Sequence, residues 1–217
     1  DLRSFYDGSL LALFSPFALL TGALSVAMLV LHGAGWLSLR IEHGAVMDRA
    51  RRWAMVAALV SILLFGLAGL MVAFGDMGFR SQGLIDTAGP SNPLRSLSVS
   101  APGAWLDNYG RYPWMLLAPI LGFAGPLLAI LALRAPGKSL GEKLLFTGSS
   151  LAVVGMIATV GLSMFPFILP SSIDPRSSLT VWNASSSHLT LFIMLIVTAV
   201  LLPLVLAYTA WALKVMF

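Results

Sequence analysis

The chain has 217 residues and no cysteine, which excludes disulfides and thiolate metal sites. It also has little charge: Asp, Glu, Lys and Arg together make up 10% of it, against roughly a quarter in ordinary soluble domains. Histidine is scarce, with only His32, His43 and His188, and no His/Asp/Glu spacing resembles a zinc, di-iron or calcium site. No metal ligand and no nucleic-acid partner is therefore expected.

What the chain has instead is apolar sequence in long runs. Hydrophobic residues account for 58% of it, and a run of about twenty without a charge has the length that crosses bilayer hydrocarbon. Five such runs predict an all-α integral membrane protein, a single transmembrane domain over 1–217. The expected helices are 16–39, 53–74, 114–133, 144–165 and 189–213, with an outer loop at 75–113 and an outer turn at 166–188. The first run is too long for a cleaved signal, and its approach carries Asp1 and Asp7 where a signal would be basic. The start without methionine gives the expectation that an upstream part is missing.

Charge placement orients the spans. Arg40, Arg49, Arg51 and Arg52 crowd the first connection, Arg134, Lys138 and Lys143 the third, and Lys214 the tail, whereas Asp76, Asp86, Asp107 and Asp174 lie in the second and fourth. The positive-inside rule then puts the first and third connections and the C-terminus in the cytoplasm and the N-terminus outside. Trp36, Trp53, Trp114 and Trp211 fall near span ends, where an amphipathic ring prefers the headgroup level. Arg49, Arg51 and Arg52 read as a cytoplasmic anchor touching anionic lipid.

Intramembrane ionisable residues would mark a pump, a channel or a redox centre. No Asp, Glu, Lys or Arg lies between the ends of any of the five runs, and only His32 reaches into one. His188 opens the fifth run, so the two histidines lie near opposite surfaces, on the order of 20 Å apart, too far for a pair of axial haem ligands. A His/Met pair is the remaining route to a haem b cytochrome, with Met28, Met55, Met71, Met156, Met164 and Met194 available. Pro119, Pro126 and Pro203 are expected to bend their helices. A small-solute transporter would use such kinks beside polar residues, which are missing here.

Packing is carried by small residues. Ala18 and Gly22, Ala54, Ala58 and Ser61 with Gly66 and Gly69, and Gly148 with Ala152 stand near helical spacing and predict close backbone approach. The most irregular stretch follows the fourth run. In "SMFPFILPSS" Pro166 bends or stops the last helical turn, and Pro170 prevents helix from resuming before Ser171 and Ser172. "SLTVWNASSSHLTL" then supplies Trp182 as an interfacial anchor, with Ser185, Ser186 or Ser187 to cap the fifth helix. Asn183-Ala184-Ser185 is formally a glycosylation sequon, set too close to the membrane surface to be used. The turn of Pro166, Pro170, Ser171, Ser172, Trp182, Asn183 and Ser186 reads as structural, and no catalytic or cofactor-binding residue emerges.

Those residues also carry a resemblance. "GLSMFPFILPSS", "SLTVWNASSSHLTL" and "LLPLVLAYTAWALKVMF" resemble the last two membrane helices of subunit II of the cytochrome bd-type quinol oxidases. "FSPFALLTGALSVAMLVLHGAGWLSLR" resembles the family's mid-chain helix, and "SNPL" at 91–94 with "GAWL" at 103–106 its outer loop. The resemblance spans the whole chain but only the C-terminal part of that subunit. It implies a four-helix bundle plus one peripheral helix, and a haem-free scaffold in the bacterial inner membrane. It further implies a partner subunit I that holds haems b558, b595 and d and uses quinol to reduce dioxygen to water. Small accessory membrane subunits, membrane lipid and a structural quinone are the other partners it implies.

Overall fold

A serine and a proline start the first helix cleanly. The structure, a computed structural model, describes residues 11, 14–41, 44–82, 98–135, 138–171 and 174–216. Helix α1, Pro16–Arg40, opens with Ser15 accepting a hydrogen bond from the Ala18 amide at 3.2 Å and with Pro16 at its first position, where the missing N–H has no helical partner to lose. Helix α2, Ala45–Phe74, begins eight residues before its apolar run, because Arg49, Arg51 and Arg52 continue the helix beyond the stretch that hydropathy marks. Gly75 ends it: a Cβ there would lie 2.4 Å from the Met71 carbonyl oxygen.

After α2 the chain forms two short paired strands, β1 (Phe79–Ser81) and β2 (Ser98–Ser100). Gly78, just before β1, has φ +137°, a conformation closed to residues with a Cβ. A short 3₁₀ turn at Ala104–Leu106, helix α3 (Asp107–Arg111) and a second 3₁₀ turn at Pro113–Leu116 lead into α4, Leu117–Arg134, and α5 follows at Lys138–Met164. Pro119, expected to bend α4, stands in its first turn instead. It is the third residue of that helix, and proline is tolerated in the first turn. Pro126 does lie inside α4 and Pro203 inside the last helix, and both helices continue through them.

α1, α2, α4 and α5 form a four-helix bundle, within a unit made of 1–80 and 100–165. Its core is built from few large side chains and many alanines: Leu31, Ala34, Ala54, Ala58, Ala129, Ala132, Leu145, Ala152 and Met156 are buried together. α4 and α5 make the closest seam. A Cβ on Gly125 would sit 2.3 Å from the Ala152 amide nitrogen, one on Gly148 2.7 Å from the Gly125 carbonyl oxygen, and one on Gly155 2.2 Å from the Gly122 nitrogen. Backbone meets backbone there, the approach that small residues permit within a bilayer. The expected small residues divide accordingly. Ala54, Ala58, Ser61 and Ala152 are buried and Gly148 is in the seam, whereas Ala18, Gly22 and Gly69 are exposed, with nothing within 4 Å of a Cβ on either glycine.

A second unit comprises 81–99 and 166–217. It holds an antiparallel pair, β3 (Phe167–Leu169) with β4 (Leu179–Thr180), a 3₁₀ turn at Pro175–Ser177 and the long helix α6, His188–Met216. No residue in the most apolar window of α6 is buried. Together with α1, α2, α5 and the segment Pro113–Arg134, it brings the helices long and apolar enough to cross a membrane to five among the described residues. The chain is an all-α membrane protein apart from these two-stranded ribbons.

Candidate functional site

The turn after α5 is a dense set of local hydrogen bonds. Pro166 and Pro170 bracket β3, and the Pro166 carbonyl accepts from the Val181 amide at 3.0 Å, closing the ribbon. The Ser171 amide donates to Ser178 Oγ at 3.0 Å, and Ser171 Oγ accepts from the Asp174 amide at 3.3 Å. Asp174 Oδ1 caps the 3₁₀ turn by accepting from the Arg176 amide at 3.0 Å. Asn183 plays both roles of an amide side chain: Oδ1 accepts from the Thr180 amide at 2.6 Å and Nδ2 donates to the Ser178 carbonyl at 3.4 Å. A side chain so engaged is a brace for the turn. Trp182 is half-buried, and Ser172 lies outside the described residues. The residue capping α6 is Ser187: its Oγ accepts from the Thr190 amide at 3.4 Å and meets Thr190 Oγ1 at 2.9 Å. Ser186 is exposed beside it.

The three arginines of the first connection separate in role. Arg49 and Arg52 are exposed, each with Nε donating to the carbonyl one turn back, Ala45 at 3.3 Å and Asp48 at 3.4 Å. Arg51 is half-buried, and its Nη donates to the Leu133 carbonyl at 2.9 Å. That carbonyl belongs to the last turn of α4, where helical acceptors have no intrahelical donor and a cation complements the helix dipole. Arg51 is thus a cap on a neighbouring helix more than a surface anchor.

At the other end of the bundle a residue that sequence reasoning did not single out has the matching task. Asn108, 8% exposed, points Nδ2 at the carbonyls of Leu162 (2.9 Å), Ser163 (3.3 Å) and Phe165 (2.5 Å), which close α5. Tyr109 adds a hydroxyl contact to Ser163 Oγ at 2.6 Å. Nearby, Arg80 pairs with Asp107 through Nε at 2.9 Å and through Nη, an exposed ion pair of the kind that contributes little.

His32 is an ionisable side chain well inside a span. Ser149 Oγ donates to the Phe146 carbonyl at 2.8 Å, so its hydrogen bond with His32 Nδ1 at 3.2 Å has the imidazole as donor, leaving Nε2 as the acceptor. The ring leans on Phe146 at 5.3 Å between centroids, Phe146 on Trp36 at 5.7 Å, and the Arg40 guanidinium lies 5.0 Å over Trp36. Two of the methionines are poorly placed to be a second axial ligand opposite His32. Met28 is on the same helix one turn away, and Met156 is packed against Gly122, seven residues along α5 from Ser149. A pair of axial ligands has to face each other at one depth. Among the described residues no group of three or more His, Cys, Asp or Glu is placed to hold a metal ion.

A five-span helical protein with a glycine-packed bundle, polar groups spent on helix ends and a hydrogen-bonded turn before its last helix is a multi-pass membrane protein. The sequence profile described as "Cytochrome bd terminal oxidase subunit II" matches residues 1–216, and the chain belongs to that family. It is 42% identical over 216 residues to "Cytochrome bd-I ubiquinol oxidase subunit 2" of Escherichia coli (strain K12), covering 100% of this chain and 56% of that relative. It is 38% identical over 212 residues to "Probable cytochrome oxidase subunit 2" of Haemophilus influenzae, covering 98% of this chain and 54% of the relative. The chain thus spans about half the length of the curated relatives it matches.

Proposed function

We propose that this chain is a scaffold subunit, without haem or catalytic residue of its own, of a terminal oxidase in the bacterial inner membrane. A haem-bearing partner subunit I oxidises membrane quinol and reduces dioxygen to water, with haems b558, b595 and d carrying the electrons. The observation that carries this reading is the family match along essentially the whole chain, together with a relative whose name is that of a ubiquinol oxidase subunit. The placement of polar groups supports it: Arg51 and Asn108 are bonded to main-chain carbonyls at the ends of other helices, so they brace the bundle. The basic end of the bundle, with Arg40, Arg49, Arg52, Arg134 and Lys143, faces the cytoplasm in this reading, and the turn of 166–187 lies outside. Small accessory subunits and a structural quinone complete the proposed assembly.

One arrangement favours a second reading. A histidine whose Nδ1 is fixed by a hydroxyl presents Nε2 as a ligand-ready atom, so a haem b cytochrome is the rival. A reduced-minus-oxidised spectrum with haem quantification, taken on the purified chain before and after a detergent wash that strips accompanying polypeptides, separates the two. Haem d and b signals that leave with a larger polypeptide are the expected result. Stoichiometric haem that stays with the chain and disappears in His32→Ala would overturn the scaffold reading.

A further inference from the structure

Arg49, Arg52, Trp53 and Val56 line an open groove of about 380 Å³ on one face of α2. Their spacing of three, four and seven residues puts all four on one stripe. Below the groove the stripe continues with Val60 and Leu63, both exposed. We propose that this groove binds one anionic phospholipid, with its phosphate between Arg49 and Arg52 and an acyl chain along Val56, Val60 and Leu63.

The helix sets the depth. α2 has 30 residues, about 45 Å at about 1.5 Å per residue, against a hydrocarbon core of about 30 Å. The charged first two turns therefore stand in the headgroup layer and Trp53 at the boundary, where an indole is favoured. Val56 begins the acyl region.

The chemistry matches at each level. Among the described residues both guanidinium groups use only Nε, which leaves their Nη groups for phosphate oxygens, the geometry in which arginine binds phosphate best. Neither arginine has a carboxylate partner among the described residues, and the exposed Asp48 is one acid among three cations, Arg49, Arg51 and Arg52. Arg51 is turned to the Leu133 carbonyl, so the pair on the groove is what remains for a ligand. An acidic protein segment could satisfy the arginines equally, but it would leave the exposed valine and leucine stripe uncovered. A phospholipid satisfies both.

Trp53 is the reporter. The chain, purified from membranes with the polypeptides that accompany it, is placed in phosphatidylcholine nanodiscs that contain a minor fraction of brominated lipid. The Trp53 component of fluorescence is taken as the difference between the parent chain and Trp53→Phe. Brominated phosphatidylglycerol is expected to quench that component about fivefold more than brominated phosphatidylcholine at equal mole fraction, a ratio that attraction of a basic pair for anionic lipid supports. The preference is expected to approach parity in Arg49→Gln/Arg52→Gln, to shrink with added KCl, and to survive inorganic phosphate at constant ionic strength. Equal quenching by both lipids would overturn the proposal, as would a preference unchanged in the double variant. Displacement by inorganic phosphate would mean a free-anion site, and no quenching by either lipid would mean that protein covers the groove; both count against the proposal. The comparison of lipids on the parent chain decides the matter even if the double variant fails to fold.

Discussion

The α4–α5 seam and α6 are both apolar helices, yet they are built in opposite ways. α6 is the most apolar of the five spans and has no buried residue in its apolar window, whereas α5 is less apolar and a third of its window is buried. In water, apolar sequence marks what is inside. In a bilayer hydrocarbon competes equally for leucine, so burial follows the residues that let backbones approach and the polar groups that need a partner. The seam has the first, in Gly125, Gly148 and Gly155, and the side of α5 toward α1 has the second, in Ser149, which bonds His32. α6 has no glycine, and more than half of it is Leu, Ile, Val and Met.

Breaking the seam should have the largest effect. Gly155→Ala puts a Cβ 2.2 Å from the Gly122 nitrogen, where no side chain can yield, so it should cost about 3 kcal/mol or more, at the top of the range for overpacking. Thermal unfolding of the purified chain in detergent, followed by loss of monodispersity, measures this. Next comes Asn108→Asp, which turns a donor facing three carbonyls into an acceptor in a nearly buried place. The expected loss is about 2–3 kcal/mol, greater than for Asn108→Ala in the same assay; equal losses would show that the amide only fills space.

Smaller effects sharpen the contrast. Arg51→Gln is expected to lower stability by about 1–2 kcal/mol, because the Leu133 carbonyl loses a charged donor, while Arg52→Gln should change it by less than about 0.5 kcal/mol. Ser61 is fully buried and its hydroxyl has no hydrogen-bond partner, so Ser61→Ala should stabilise the bundle by about 1 kcal/mol. A loss there would reveal a function for the hydroxyl that packing does not supply. Ala199→Leu in α6, on an exposed face, should leave the unfolding midpoint of the isolated chain unchanged. A clear drop would identify that face as covered.

Much of this was legible in the sequence, for a physical reason. Charges are so costly in hydrocarbon that the spans end where they appear, and the five runs found their helices. α2 escaped at its start because hydropathy locates the hydrocarbon boundary and not the helix boundary; Arg49, Arg51 and Arg52 are helical but lie outside the apolar run. Gly148 and Ala152 were readable as contact residues, but the same signal at Gly22 and Gly69 led nowhere, since spacing does not say whether a neighbour is present. Asn108 gave no signal at all: an asparagine near "AWLDNYGRYPW" is ordinary loop sequence until the end of α5, more than fifty residues later, arrives beside it. The cap on α6 fell among three adjacent serines, and only geometry picks Ser187.

The bond from Arg51 to Leu133 spans 82 residues, and this has a bearing on how the protein is made. During synthesis the hairpin of α1 and α2 emerges before α4, so the guanidinium at the foot of α2 spends that interval hydrated at the membrane surface. Its partner comes into being only when the ribosome has passed the end of α4. Closure of the bundle is then a step that follows insertion and is separate from it, and Arg51 is the latch that engages when the later helices arrive.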